Sequence, residues 1–156
     1  MRLALLIAFC ILALDQVTKV VIVHVLDLRN RGEIDVFPPF LNFRMAWNEG
    51  INFGLFAQQG DLMKWVLVAI AVFISLGVLW WIHHEKPRKM GFVAAGLLIG
   101  GALGNAIDRV LYGAVADFLN MSCCGFDNPY AFNVADIAIF VGGVGLFLIP
   151  AEKKAG

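Results

Sequence analysis

Apolar residues run almost without interruption over four stretches of the chain, about 3–26, 62–82, 90–111 and 134–149. At roughly 1.5 Å of rise per residue, such stretches approach or exceed the roughly 30 Å hydrocarbon core of a bilayer, and each predicts a transmembrane helix. Trp65 stands near one end of the second stretch and Trp80-Trp81 near the other. On a helix that places them roughly 23 Å apart, which fits aromatic belts at both interfaces. Between the first and second stretches the period changes. Leu41, Phe43, Met45 and Trp47 alternate with Asn42, Arg44, Ala46 and Asn48, after a Pro38-Pro39 break. Period-two alternation predicts an amphipathic strand. A strand cannot lie bare in lipid, so residues 27–61 are expected at the interface in a small sheet. The predicted fold is a single all-α integral membrane domain over residues 1–156. It has four transmembrane helices and a small interfacial β-sheet, a cradle, on the outer side.

Small residues refine the packing. Gly96, Gly100 and Gly104 fall at i, i+4 and i+8 in the third stretch, while Ala135, Ala138, Gly142 and Gly145 form a second stripe in the fourth. Such stripes let helix backbones approach closely. They predict that the third and fourth helices pack together, bringing Asp136 beside the outer end of the third. Asp108 continues the first stripe by one turn, which turns it toward protein.

Composition supports a membrane protein: 60% of residues are hydrophobic and 15% charged, against about half and a quarter in soluble domains. The formal net charge is zero, without the basic footprint that nucleic-acid binding requires. Arg2 and the apolar run behind it resemble a signal peptide, but Leu3–Leu14 leads into Asp15-Gln16 with no small-x-small cleavage site. The segment is expected to remain as a membrane helix. Cys10, after Phe9, reads as a small hydrophobe, and adjacent Cys123 and Cys124 are poorly placed for an ordinary bridge. Lysine and arginine set the orientation. Arg2, Lys86, Arg88, Lys89, Lys153 and Lys154 share one side; the opposite side has Arg29, Arg31 and Arg44, all in the larger folded section, and no lysine or arginine in the loop 113–133. Both termini are therefore expected in the cytoplasm, and the 113–133 loop outside.

Charges in so apolar a chain are costly and mark function. Asp15 and Lys19 lie at i,i+4; they read as a helix-internal ion pair, as a carboxylate supporting a site, or as both. Asn105, Asp108 and Arg109 end the third stretch, Asp117 follows in a short outer segment, and Asn133 and Asp136 open the fourth. Nucleophile chemistry finds little support. Ser75 lies mid-membrane, beyond reach of His24, and Cys123 or Cys124 with His24 matches no motif. Adjacent His83 and His84 point to different sides and have no third ligand at metal spacing, so no metal and no cofactor are expected. Paired carboxylates remain. Two aspartates sharing a site cannot both ionise cheaply, so one can polarise a carbonyl while the other accepts a proton from water. The competing reading is that these aspartates cap helices or pair with Arg109. A different class, a small ion-coupled transporter, also uses intramembrane carboxylates, near the midplane between repeats. The 117/136 pair lies at outer helix ends, and no internal repeat is evident. The stretch 48–56, NEGINFGLF, reads either as a surface loop with membrane-dipping Phe53 and Phe56 or as a flap hinged at Gly50 and Gly54.

LDQVTK (14–19), NEGINF (48–53), GGALGNAIDR (100–109), VADF (115–118) and FNVAD (132–136) occur in this order. Together they resemble the bacterial lipoprotein signal peptidases, or signal peptidase II, over nearly the whole chain. The resemblance implies an aspartyl endopeptidase of the bacterial plasma (inner) membrane. Its substrate would be a prolipoprotein whose lipobox cysteine carries a diacylglyceryl group, cut just before that cysteine. It implies Asp117 and Asp136 as the catalytic pair, facing the outer side. Asp15, Asn48, Gly50, Phe53, Asn105, Asp108, Arg109 and Asn133 would support the site or contact substrate. Ile51-Asn52, Ala116 and the loop MSCCGFDNPYA depart from the family pattern.

Overall fold

The computed structural model describes residues 1–50 and 60–148. The expected flap residue Phe53, with Gly54 and Phe56, lies outside the described residues.

The first apolar stretch forms α1 (Arg2–Lys19) and continues as one π-helical segment, Val20–Val25. Asp27, in the left-handed region at φ 59°, turns the chain into the short α2 (Leu28–Arg31). Strands β1 (Glu33–Phe37) and β2 (Leu41–Asn48) follow as an antiparallel pair. The alternation of residues 41–48 is thus a strand, as its period predicts. Helices α3 (Gly60–Glu85) and α4 (Lys89–Tyr112) come next. Gly113 ends α4 in the left-handed conformation, its N–H donating to Arg109 O at 3.0 Å. Helix α5 is Val134–Leu148.

One strand is absent from the sequence expectation. Residues Val115–Asn120, read there as a short outer segment, form β3, which completes a three-stranded sheet in the order β1-β2-β3. The apolar residues of VADF do not alternate, because neighbouring elements cover both faces of β3. Phe118 packs with Ile22, Leu28, Phe43 and Met45.

Among the described residues, three helical spans, Arg2–Val25, Leu62–Glu85 and Lys89–Tyr112, are long and apolar enough to cross a membrane; Val134–Leu148 is apolar but shorter. They differ in environment. Helix α4 is the inner one, packed against α1, α3 and α5, while α3 leaves Phe73, Leu76 and Trp80 exposed. An apolar helix exposed nearly all round is what lipid permits and water does not.

The glycine stripes act differently from the expectation. A Cβ on Gly96 or Gly100 would strike Ala4 O or Ala8 O of α1, so this face of α4 meets α1 and not α5. The α5 contact uses the neighbouring Gly101, where a Cβ would strike Ala135 O, and Gly142, where it would strike Ala94 O and Leu98 N. Small residues on two faces of one helix let both neighbours approach it. The α4–α5 pairing expected from the sequence therefore forms, through a different glycine.

Candidate active site

The site forms where the outer end of α4, strand β3 and the first turn of α5 meet. The turn at Gly113 folds β3 back beside α4, and the loop after β3 returns to it. Phe132 N donates to Leu119 O at 3.0 Å, and Leu119 N to Phe132 O at 2.8 Å. Asn120 Nδ2 fastens the loop by donating to Asn128 O at 2.6 Å and Tyr130 O at 2.9 Å. This closure delivers Asn133 and Asp136 to the strand that carries Asp117.

Asn133, fully buried, joins the two aspartates. Its Nδ2 donates to Asp117 Oδ1 at 2.6 Å and to Asn105 Oδ1 at 3.1 Å. Its Oδ1 accepts the N–H of Asp136 at 2.9 Å, while Asp136 Oδ2 accepts the N–H of Asn133 at 3.1 Å. That reciprocal pair is a capping box, with Asn133 capping α5 and Asp136 at its third position. The other carboxylate oxygens are also held. Asn48 Nδ2 donates to Asp117 Oδ2 at 3.1 Å, and Asn105 Nδ2 to Asp136 Oδ1 at 2.8 Å. Sheet register makes the first contact possible: Ala46 lies opposite Asp117 and Asn48 opposite Val115, so Asn48 and Asp117 are diagonal neighbours on one face.

Asp117 is 3% exposed and Asp136 half-buried. Burial pushes the Asp117 carboxyl up from 3.8 to about 7, and the Asp136 charge adds to the rise against the lowering effect of the Asn48 and Asn133 amides. A carboxyl in that range can hold a proton or release it near neutrality.

Behind the pair lies a second polar cluster. Lys19 Nζ is 2.8 Å from both Asp15 Oδ2 and Asp108 Oδ2, and donates to Asn105 Oδ1 at 3.3 Å. Asp15 forms the helix-internal pair with Lys19 at 2.8 Å, and its Oδ1 also accepts the N–H of Ala135 at 3.0 Å. Asp108 does not pair with the adjacent Arg109. Its Oδ2 accepts the N–H of Ala116 at 3.1 Å, and its Oδ1 accepts from Gln16 Nε2 at 3.0 Å. Gln16 was not singled out by the sequence, although it lies within the LDQVTK motif. Arg109 Nη1 donates to Asn105 O at 3.2 Å, and its buried Nε has no hydrogen-bond partner among the described residues.

Gly50 belongs to the margin of the site. Its N–H donates to Asn48 Oδ1 at 3.0 Å at φ +101°, a conformation suited to glycine. Asn48 therefore grips Asp117 with one end of its amide and the backbone of Gly50 with the other. Elsewhere, His84 Nδ1 lies 2.9 Å from Trp80 O, and among the described residues no group of three His, Cys, Asp or Glu is placed to hold a metal.

Comparison with known proteins identifies the family. The family model described as Signal peptidase (SPase) II matches residues 7–151. A lipoprotein signal peptidase of Methylobacterium radiotolerans is 42% identical over 137 residues, covering 88% of this chain and 78% of the relative. One from Rhodopseudomonas palustris is 39% identical, covering 97% and 96%. A solved structure described as a bacterial membrane enzyme superposes with a TM-score of 0.80 at 30% identity, covering all of this chain and 96% of the other. A second of the same description gives 0.76 at 28% identity. These matches set aside the transporter reading. The chain belongs to the signal peptidase II family of aspartic peptidases, which removes signal peptides from prolipoproteins.

Proposed function

We propose that Asp117 and Asp136 are the catalytic pair of an aspartyl endopeptidase acting on diacylglyceryl-modified prolipoproteins, with cleavage just before the lipidated cysteine. The observation that carries the assignment is Asn133. One buried amide binds Asp117 through nitrogen and caps the helix turn bearing Asp136 through oxygen. It holds the two carboxylates as a unit while supplying no charge to neutralise either.

The chemistry follows from their unequal burial. Asp117 keeps a proton near neutrality. Asp136 accepts a proton from water, and the water oxygen bonds to the scissile carbonyl carbon as the carbonyl oxygen takes the Asp117 proton. The resulting gem-diol collapses when the Asp136 proton passes to the peptide nitrogen and the C–N bond breaks. A hydroxyl proton returns to Asp117 as the new carboxyl forms. Neither a covalent intermediate nor a metal enters the sequence.

The apolar helices orient the reaction in the membrane. We infer four crossings, both termini in the cytoplasm and the sheet on the outer face. The basic residues at 86–89 and 153–154, set against none in 113–133, support that orientation. The exposed β1–β2 tip, where Phe37 and Phe40 stack at 5.7 Å, suits an interfacial position. Membrane lipid and the lipidated prolipoprotein are the partners this reading requires. The deciding experiment incubates purified protein with lipidated and unlipidated forms of one prolipoprotein. The shortened product is expected from the lipidated form alone, and its absence sinks the reading.

A further inference from the structure

One lysine reaches both backbone segments that carry the proposed catalytic pair. Lys19 Nζ lies 2.8 Å from Asp15 Oδ2 and 2.8 Å from Asp108 Oδ2. Asp15 in turn accepts the N–H of Ala135 at 3.0 Å, one residue before Asp136. Asp108 accepts the N–H of Ala116 at 3.1 Å, one residue before Asp117. A third path runs through Asn105, whose Oδ1 accepts from Lys19 Nζ at 3.3 Å and whose Nδ2 donates to Asp136 Oδ1 at 2.8 Å. We propose that Lys19 is a positioning residue for the reaction: its charge, shared between Asp15 and Asp108, fixes the separation of the Asp117 and Asp136 carboxylates. The inference rests on the reading of those two aspartates as the catalytic pair.

The residue type matches the task. A lysine ammonium is compact and carries three donors. Here it meets three acceptors from two helices: Asp15 Oδ2, Asp108 Oδ2 and Asn105 Oδ1. Lys19 is 5% exposed and Asp15 fully buried, so the attraction acts with little screening. The two carboxylates make the rest of each linkage, because each holds a backbone N–H as well as the ammonium. An uncharged side chain in place of Lys19 would leave two buried negative charges to repel one another across the α1–α4 contact. The N–H groups of Ala116 and Ala135 would then follow their carboxylates apart. Dyad chemistry is sensitive to such displacement, with a 1 Å misplacement costing on the order of 100-fold in rate.

The charge also acts directly. Lys19 favours the ionised form of Asp117. The titratable or charged groups around Lys19 are Asp15 on its own helix, Asp108, Arg109 and Tyr112 on α4, Asp117 on β3, Asp136 on α5 and His24 on the π-helical segment, which lines the same cleft as Tyr112.

The test uses full-length protein in detergent with a lipidated prolipoprotein peptide. Lys19→Met keeps the chain length and removes the charge and donors, and Lys19→Gln keeps a donor. Both are expected to lower kcat on the order of 100-fold with little change in KM, since Lys19 does not face substrate. Both should also move the pH–rate profile to higher pH, because Asp117 loses a neighbouring positive charge. Lys19→Arg keeps the charge and should leave the profile in place while lowering kcat. Wild-type kcat in folded Lys19→Met overturns the proposal. So does a loss of thermal stability with kcat and profile unchanged, and so does failure of both neutral variants to fold, since Lys19 would then hold helices rather than the dyad. Cleavage retained by Asp117→Asn would instead sink the dyad reading, whatever Lys19 does.

Discussion

Two pairs of aspartates lie within one hydrogen-bonded network, and they are treated oppositely. Asp15 and Asp108 share the ammonium of Lys19 and hold backbone N–H groups with their remaining acceptor capacity. Asp117 and Asp136 accept, among the described residues, from neutral amides: Asn48, Asn105 and Asn133. A cation at ion-pair distance favours the ionised form of a carboxylate. An amide fixes only position. The first pair therefore holds backbone in place around a shared cation, and the second is held in place by amides. All four carry the same side chain; their partners separate the two kinds.

The comparison breaks first at the second pair. Asp117→Asn and Asp136→Asn keep shape but cannot cycle a proton, and each is expected to reduce cleavage of a lipidated prolipoprotein by about 10⁴-fold or more, as when one member of a catalytic unit fails. Thermal melting should show both variants folded. If Asp117→Asn cleaves well while Asp108→Asn is folded and inactive, the roles of the two pairs are reversed.

A smaller loss comes from pH. The mechanism needs a proton on one member of the dyad, and Asp117 releases its proton at about 7. Initial rates should therefore fall about tenfold per pH unit on the alkaline side of that value. A rate that still climbs between pH 7.5 and 9 contradicts a protonated Asp117.

Asp108→Asn sharpens the contrast. It removes one of the two charges on Lys19, and breaking a buried pair costs on the order of 3 kcal/mol. Its main effect should be a lowered melting temperature, with a partial fall in activity far short of that in Asp117→Asn. Equal losses of activity in the two variants would erase the distinction between the pairs.

The smallest effect is on stability as a function of pH. The folded-state pKa of Asp117 is raised, so its contribution to stability is fully present below the ordinary 3.8 and lost as pH rises through about 7. Between pH 5.5 and pH 8 the protein should lose roughly 2 kcal/mol of stability through this group. Asp117→Asn should flatten that dependence, and an unchanged slope in the variant would place the titration elsewhere.

Much of the site is legible in the chain itself, for local reasons. The apolar stretches fix three spans because backbone in lipid must satisfy itself within a helix. Period two at residues 41–48 fixes β2. In FNVAD, an asparagine three residues before an aspartate at the start of an apolar run encodes a capping box. Asn133 and Asp136 are thereby placed with respect to one another before any tertiary contact forms. The spacing of Asp15 and Lys19 likewise fixes an ion pair one helical turn long.

The remainder required the fold. VADF reads as an outer segment because a strand covered on both faces shows no alternation, and β3 exists only because β2 supplies its ladder and the 121–132 loop closes over it. Asp108 sits beside Arg109 in sequence, yet adjacent residues on a helix point about 100° apart, so its cation came from α1. The stripe of Gly96 and Gly100 predicts close packing but carries no label for its partner, and packing assigned it to α1 while Gly101 met α5. Periodicity and capping are properties of a segment alone, and the sequence determined them. That Asp108 shares the lysine of Asp15 while Asp117 and Asp136 meet amides depends on side chains brought together from separate elements, and only the tertiary structure decided it.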